Sequence, residues 1–289
     1  MGALRGVSAN RMAVLVGGVL LAVIIARRAA RRSPATVDAS VAPGTLAFQL
    51  HGTRIRVPLG PGDAGFHPDD DLLGAELVYA SGSGAQAISS IFRIDGMGID
   101  PDDPRHDLML YTLSTRESEA GPWKNACTQD SQGFARGFLL EGRWSATGEH
   151  LKHPGEFEIA CTSGAEAKCV RMGYRPWESQ AMWDLHQACT RMVRADYCGD
   201  GHSYTRDGTR VDVYDTRGIQ TETPDAGLSF EAAWGTAGAV CVRRPRVPEL
   251  APLDFLKTAC PKRLGDHLGD ACDPEQARTN PLTLILNKS

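Results

Sequence analysis

Eight cysteines, all between Cys127 and Cys272, constrain this chain more than any other feature. The number is even, no two stand as C-x-x-C, and the gaps of 33, 7, 19, 8, 42, 18 and 11 residues fit no zinc ribbon or finger. The arrangement predicts disulfides, which persist where thiols are oxidised. Cys127, Cys161, Cys169, Cys189, Cys198, Cys241, Cys260 and Cys272 are all expected to pair. At 289 residues the chain is also long enough to bury one large core or two ordinary ones, so cross-links are not its only support. A hydrophobic content of 42% rules out a disordered chain, and 31 glycines and 17 prolines follow no collagen-like period.

Local geometry narrows the pairings only in part. Cys127 with Cys161 would join two strand-like segments that flank a hairpin. Cys260 with Cys272 closes a short loop containing Pro261 and two glycines and is the strongest local candidate. Cys189 and Cys198, if both lay on one straight helix, would be about 13.5 Å apart and out of reach. Beyond that, eight cysteines allow about 105 connectivities.

The amino terminus sets the address. From Met12 to Ala26 the run MAVLVGGVLLAVIIA has no charged or polar side chain. As a helix it would rise about 22 Å against a hydrocarbon core of roughly 30 Å, and flanking arginines can snorkel to the headgroups. The length also suits a secretory h-region, but Arg27, Arg28, Arg31 and Arg32 stand where signal peptidase wants small residues, which favours an uncleaved anchor. The expected layout is a basic segment 1–11, an anchor or signal h-region 12–26 and a linker 27–44. Arginines on the two flanks slightly favour a cytoplasmic body, whereas the cysteines require an oxidising compartment. The margin in charge is one group, so the cysteines decide: the body is expected to face the periplasm or exterior from an inner-membrane anchor, the alternative being secretion after cleavage. Residues 1–32 hold six arginines and no acid, leaving 25 basic against 35 acidic side chains in the rest, which argues against a nucleic-acid partner.

After the linker, LAFQL, RIRVPL, ELVYA, ISSIFRI and LMLYTL read as strands between Gly, Pro and Asp clusters. All five tryptophans and all eight cysteines lie beyond residue 120. That shift predicts a Cys-free β module over 45–118 and a Cys-rich module over 119–289, the alternative being a single continuous fold whose N-terminal third is merely Cys-free. The fold class expected is α+β, strand-rich, with a single membrane helix ahead of it. In the second module FARGFLLEGRW and FEIAC alternate as strands. Met182, Leu185, Cys189, Met192 and Val193 form a helical stripe over 178–194. YTRDGTRVDVY reads as a hairpin turning at Asp207-Gly208. FEAAW and AVCVRRPRV are strands, LDFLKTAC is a short helix, and TLILN is a possible closing strand.

Candidate chemistry concentrates in residues 186–215. His186 and Cys189 share a helix and could form a thiol–imidazole pair, although the late-helix position and apolar stripe discourage a thiolate. Asp196, Asp200, His202, Asp207, Asp212 and Asp215 are the densest run of acid–base groups. Their spacing matches no EF-hand, and Asp-Gly turns, solvated strand positions and a helix-end or arginine contact for Asp196 explain most of them. The weak catalytic candidates are therefore His186, Asp196, His202, Asp207 and Asp212. Asp69–Asp71 and Asp100–Asp103 are expected in solvated loops, and Trp177, ahead of the helix, is expected to plug the core, the alternative being a binding aromatic for a peptide or sugar. No P-loop, GxGxxG, HExxH or G-x-S-x-G motif is present, so neither cofactor nor metal is expected.

The stretch HQACTRMVRADYCGDGHSYTRDGTRVDVYD over 186–215 comes with WKNAC at Cys127, FEIAC at Cys161, AKCVRMGYRPW from Ala167 and FEAAW before Cys241. This ordered set resembles the bacterial ADYC-domain family, whose tetrapeptide stands here as Ala195, Asp196, Tyr197 and Cys198. The resemblance implies a protein of the bacterial cell envelope, exported or anchored, with no established activity and no assigned catalytic residue. Many relatives carry a lipid-anchor signal, and this chain has no lipobox cysteine. The expected role is thus a membrane-tethered structural or binding protein, attached through 12–26, with a protein or envelope-polymer partner. The alternative is an extracytoplasmic hydrolase using the carboxylates and histidines of 186–215.

Overall fold

A computed structural model of the chain describes residues 48–59, 65–81, 88–116, 121–224 and 227–289. The anchor at 12–26 and the linker at 27–44 lie outside the described residues. Among those described, no helix is long and apolar enough to cross a membrane. The architecture is α+β and rich in strands, as the periodicities predict.

A short hairpin, β1 (Gln49–His51) and β2 (Arg54–Arg56), precedes β3 (Glu76–Ser81), β4 (Ile88–Ile99), β5 (Met109–Thr115), β6 (Lys124–Asn125), β7 (Gly137–Glu141), β8 (Arg143–Trp144), β9 (His150–Leu151) and β10 (Phe157–Cys161). One antiparallel sheet runs β10-β7-β5-β4-β3, with β6 also on β5. In β5 the run MLYTLST is buried at most positions rather than at alternate ones, as suits a central strand covered on both faces. Phe48 and Ile55 close over the sheet, with Phe48 against Phe92 and Phe157 at ring distances of 5.9 and 5.2 Å. The change in composition near residues 117–122 does not mark an edge of this sheet: β3 to β5 lie before it, and β6, β7 and β10 after it.

The two cores meet at α1 (Ala165–Arg171). Its Ala167 and Val170 pack into the first core, while Cys169 belongs to the second. Two ion pairs tie the β4–β5 loop to this helix and the segment after it. Arg171 binds Asp100 at 2.6 Å, and Arg175 binds Asp103 at 2.7 Å. Asp100 and Asp103 are buried, contrary to the solvated loop expected for 100–103, because their carboxylates each meet a guanidinium and also accept backbone N–H groups of the loop itself. Asp70 and Asp71 do face solvent. Trp177 is not a core plug either. It is 37% exposed and lies over the β1–β2 turn at Gly52.

The second core is built by α2 (Gln180–Arg194), β11 (Asp212–Asp215), β12 (Phe230–Gly235), β13 (Gly238–Val242), α3 (Leu253–Ala259), α4 (Pro261–Leu264) and β14 (Ile285–Lys288), while α5 (Pro274–Thr279) places Ala277 in a smaller cluster with Tyr214, Ala233, Cys241, Cys272 and Leu286. The strands form an antiparallel sheet ordered β11-β14-β12-β13, so the closing strand sits in the interior of the sheet. Helix α2 begins at Ser179, whose hydroxyl accepts the Met182 N–H, and its apolar stripe faces this sheet. The hairpin expected over 204–214 is absent. Asp207-Gly208 forms a turn, but the N–H of Tyr204 bonds the Arg194 carbonyl at 3.0 Å, so that segment serves the end of α2 while β11 pairs with β14.

All eight cysteines are paired: Cys127–Cys161, Cys169–Cys189, Cys198–Cys260 and Cys241–Cys272, with Cα separations of 5.4, 5.8, 5.5 and 5.4 Å. Cys127–Cys161 matches the hairpin argument. Cys260–Cys272 does not form, because the end of α3 brings Cys260 to the turn after α2. Non-reducing peptide mapping by mass spectrometry should recover these four cross-linked pairs and no other. Loops of 20 and 62 residues predict losses of about 3 and about 4 kcal/mol for removing Cys169–Cys189 and Cys198–Cys260, read from denaturant midpoints of the double-alanine variants.

Candidate functional site

The end of α2 organises the region that holds most of the predicted site residues. Ala195 adopts the left-handed conformation (φ 51°), its N–H bonds Met192 O at 3.0 Å, and the next N–H, of Asp196, bonds Arg191 O at 2.9 Å. This pair of bonds is a Schellman stop, formed here on alanine rather than the usual glycine. Asp196 is fully buried and turns back to pair with Arg191 at 2.5 Å. Its remaining capacity is filled by the N–H groups of Gly199, Asp200 and Gly201 at 2.9, 3.1 and 3.0 Å. The turn can close this tightly because Gly199 has φ +73°, and a Cβ there would fall 1.8 Å from Ala237 O.

Tyr197 is likewise committed to the scaffold. Its hydroxyl donates to Glu231 at 3.0 Å and accepts the Arg246 N–H at 2.7 Å. Glu231 is paired with Arg246 at 2.9 Å, and its carboxylate also accepts from Asn287, which in turn accepts from the Trp234 indole. Burial, together with the Glu231 charge, pushes the phenol well above the ordinary tyrosine range. Cys198 completes the motif by bonding Cys260.

Beside this turn lies an open cleft of about 340 Å³, at the small end of ligand cavities. One wall is a polar stripe of α2: Gln180, Trp183, Asp184, Gln187 and Arg191. At about 100° per residue these five share the face opposite the apolar stripe. Facing it are Glu149 and His150 from the β8–β9 hairpin, Gly199, Thr236 and Ala237, and Arg263 of α4. Gln187 fastens hairpin to helix, accepting the His150 N–H at 2.5 Å and donating to Gly148 O at 3.0 Å.

Cross-strand pairing of Trp144 with His150 places the imidazole between two indoles, 3.9 Å from Trp144 and 3.7 Å from Trp183. Its Nε2–H donates to Glu141 O, and His186 Nε2–H donates to Glu166 O, each at 3.0 Å, since a carbonyl can only accept. Trp144 Nε1, His150 Nδ1 and His186 Nδ1 are buried without a hydrogen-bond partner among the described residues. Burial, with the neighbouring His186 adding to it, lowers His150 to about 3; burial alone lowers His186 to about 4. Both rings are therefore neutral over the physiological range.

At the far end of the cleft are two guanidiniums. Arg191 is 3% exposed, with Nη1 on Asp196 and Thr147 O and Nε on Thr236 O. Arg263 is half-buried, and its guanidinium has no hydrogen bond or ion pair among the described residues. Burial and the like charge of Arg191 lower its proton affinity, against the opposing pull of Asp196.

The five catalytic candidates do not converge. His186 is in the dry aromatic cluster, Asp196 is saturated, and His202 is exposed beside Asp200. Asp207 sits in a solvent-facing turn, and Asp212 accepts the Thr223 N–H at 3.0 Å. Asp200 bonds the His202 N–H, and Asp215, rather than facing solvent, accepts the Tyr174 hydroxyl and three backbone N–H groups. Cys189, bonded to Cys169, is not a thiol. Among the described residues, no group of three His, Cys, Asp or Glu could hold a metal ion. Arg191, Gln187, Trp183, His150 and Arg263 escaped the sequence reading. The polar stripe of α2 was the available signal for the first three; nothing local marks His150 or Arg263.

In comparisons with known proteins, the family model for the ADYC domain matches residues 69–248. No curated protein and no solved structure matches the chain.

Removing one partner of a buried pair leaves the other charge stranded. Asp196→Ala should cost about 3–5 kcal/mol in urea unfolding, against less than about 0.5 for Asp207→Ala. The histidines give a sign for acid. An unfolded imidazole takes up its proton near 6.5, while the folded rings resist to about 4 and about 3. Stability from these sites is therefore full above pH 6.5 and declines as pH falls toward 4. His186→Gln should flatten this decline by about 1.4 kcal/mol per pH unit, read from urea midpoints across that window.

Proposed function

Since the chain belongs to the ADYC-domain family, and its ADYC residues are built into the scaffold, we propose that it is a membrane-tethered, extracytoplasmic binding or structural protein of the bacterial cell envelope. One observation carries this reading: the motif's reactive groups are all engaged in holding the fold. Asp196 is matched by Arg191 and three N–H groups, Tyr197 joins Glu231 to the Arg246 backbone, and Cys198 is a disulfide. A hydrolase working from 186–215 needs an acid and a base in reach of one substrate atom. Its candidates here are buried and neutral, saturated, or separately solvated.

The four disulfides fit an oxidising compartment. Tethering rests on the apolar run 12–26 and the arginines after it. The cleft beside the motif offers a preformed concave surface on rigid, cross-linked elements, which suits binding. Its partner is a protein or an envelope polymer.

Alkaline phosphatase fused after Ser289 of the full chain tests the placement. Phosphatase is expected to be active, and the fusion to stay with membranes after alkaline carbonate washing. An inactive enzyme, or release into the soluble fraction, would discard the tethered extracytoplasmic reading.

A further inference from the structure

We propose, resting on the reading of this chain as a binding protein, that the Arg263 end of the cleft holds one terminal oxyanion group, a carboxylate or a phosphate, of the bound partner. Arg263 is half-buried, lines the cleft, and has no carboxylate or carbonyl on its guanidinium among the described residues. The arginines around α2 that are more deeply buried each have such a partner, Arg191 with Asp196, Arg246 with Glu231 and Arg175 with Asp103, and the half-buried Arg194 has Gly201 O. A cation withdrawn from water beside a second cation is unfavourable for the empty fold. The nearest carboxylate cannot relieve it, because Asp196 already receives Arg191 and three backbone N–H groups.

Arg191 adds to the same end. It is held rigidly through Nη1 and Nε, and its Nη2 has no partner among the described residues. Arg263 presents a planar fork, the geometry that carboxylate and phosphate oxygens match in pairs, and Arg191 adds its remaining Nη2 donor. Cys198–Cys260 ties the turn after α2 to the start of α4, so the fork is positioned covalently.

The rest of the cleft limits the ligand. Glu149 and Asp184 line it without a cation of their own there, so a second anionic group would be repelled. A volume of about 340 Å³ admits a small molecule or the end of a chain. Polyanions are excluded on both grounds.

The test uses the full-length, disulfide-intact protein labelled with ¹⁵N-arginine, titrated with inorganic phosphate, N-acetylalanine or tripolyphosphate, with sodium chloride at matched ionic strength as control. The Nε–H resonance missing from Arg263→Gln identifies Arg263. A saturable shift of that resonance with phosphate, N-acetylalanine or both, exceeding the chloride response, supports the site, and the responding probe distinguishes the two sources. Arg263→Gln should weaken binding at least about tenfold, with Arg263→Lys intermediate. Because the empty fold gains nothing from this charge, Arg263→Gln should leave the thermal midpoint unchanged or raised. A response no larger than chloride, a stronger one to tripolyphosphate, or wild-type binding by Arg263→Gln would overturn the proposal. A midpoint lowered by several degrees in that variant would make Arg263 structural and overturn it equally. An inactive phosphatase fusion with oxyanion binding intact would discard only the envelope placement.

Discussion

The Arg191–Asp196 pair is the constraint from which the carboxyl-terminal half is arranged. Asp196 closes the Schellman stop of α2, draws the N–H groups of residues 199–201 into one turn, and fixes the guanidinium that reaches Thr147 O and Thr236 O. Three segments distant in sequence thus meet on one buried ion pair. Such a pair is a poor source of net stability, since desolvation offsets most of the attraction, but it penalises any arrangement in which either member is left alone. Gly148 and Gly201 show how close the approach is: a Cβ on the first would sit 2.9 Å from Arg191 Nη1, and one on the second 2.7 Å from Ala146 O.

The fold was legible where a single element declares itself. The strand runs FEIAC and FEAAW and the stripe from Met182 to Val193 each found their element, because short apolar runs and a helical stripe are local signals. Long-range choices were not legible. Tyr204 looked like half of a hairpin, but its N–H caps the Arg194 carbonyl, and no spacing within YTRDGTRVDVY announces that. Asp100 and Asp103 had the composition of a solvated loop, and only the arrival of Arg171 and Arg175, some 70 positions later, buries them. Counting tryptophans and cysteines pointed to a break near 117–122, yet backbone pairing carries the first sheet across it.

At the site, residue type was informative and role was not. The sequence predicts a helix-end or arginine contact for Asp196, and it pairs with Arg191, one helical turn before the cap. The opposite stripe of α2 carries Gln180, Trp183, Asp184, Gln187 and Arg191, polar residues that a search for apolar periodicity treats as background. His150 and Arg263 come from strands and helices far from the motif. Their juxtaposition depends on the closure of two cores, which a linear pattern does not encode.

The cross-links differ in how they sit along the chain. Cys127–Cys161 and Cys169–Cys189 join neighbours in sequence, whereas Cys198–Cys260 and Cys241–Cys272 interleave. An oxidase acting on cysteines in the order they emerge from a translocation pore would make the first two bonds correctly and the last two wrongly, as 198 with 241 and 260 with 272. On that route the carboxyl-terminal half would need thiol–disulfide exchange after the first oxidation, through an isomerase or through slow reshuffling in a redox buffer. A chain oxidised in that order would depend on proofreading as well as on oxidising power.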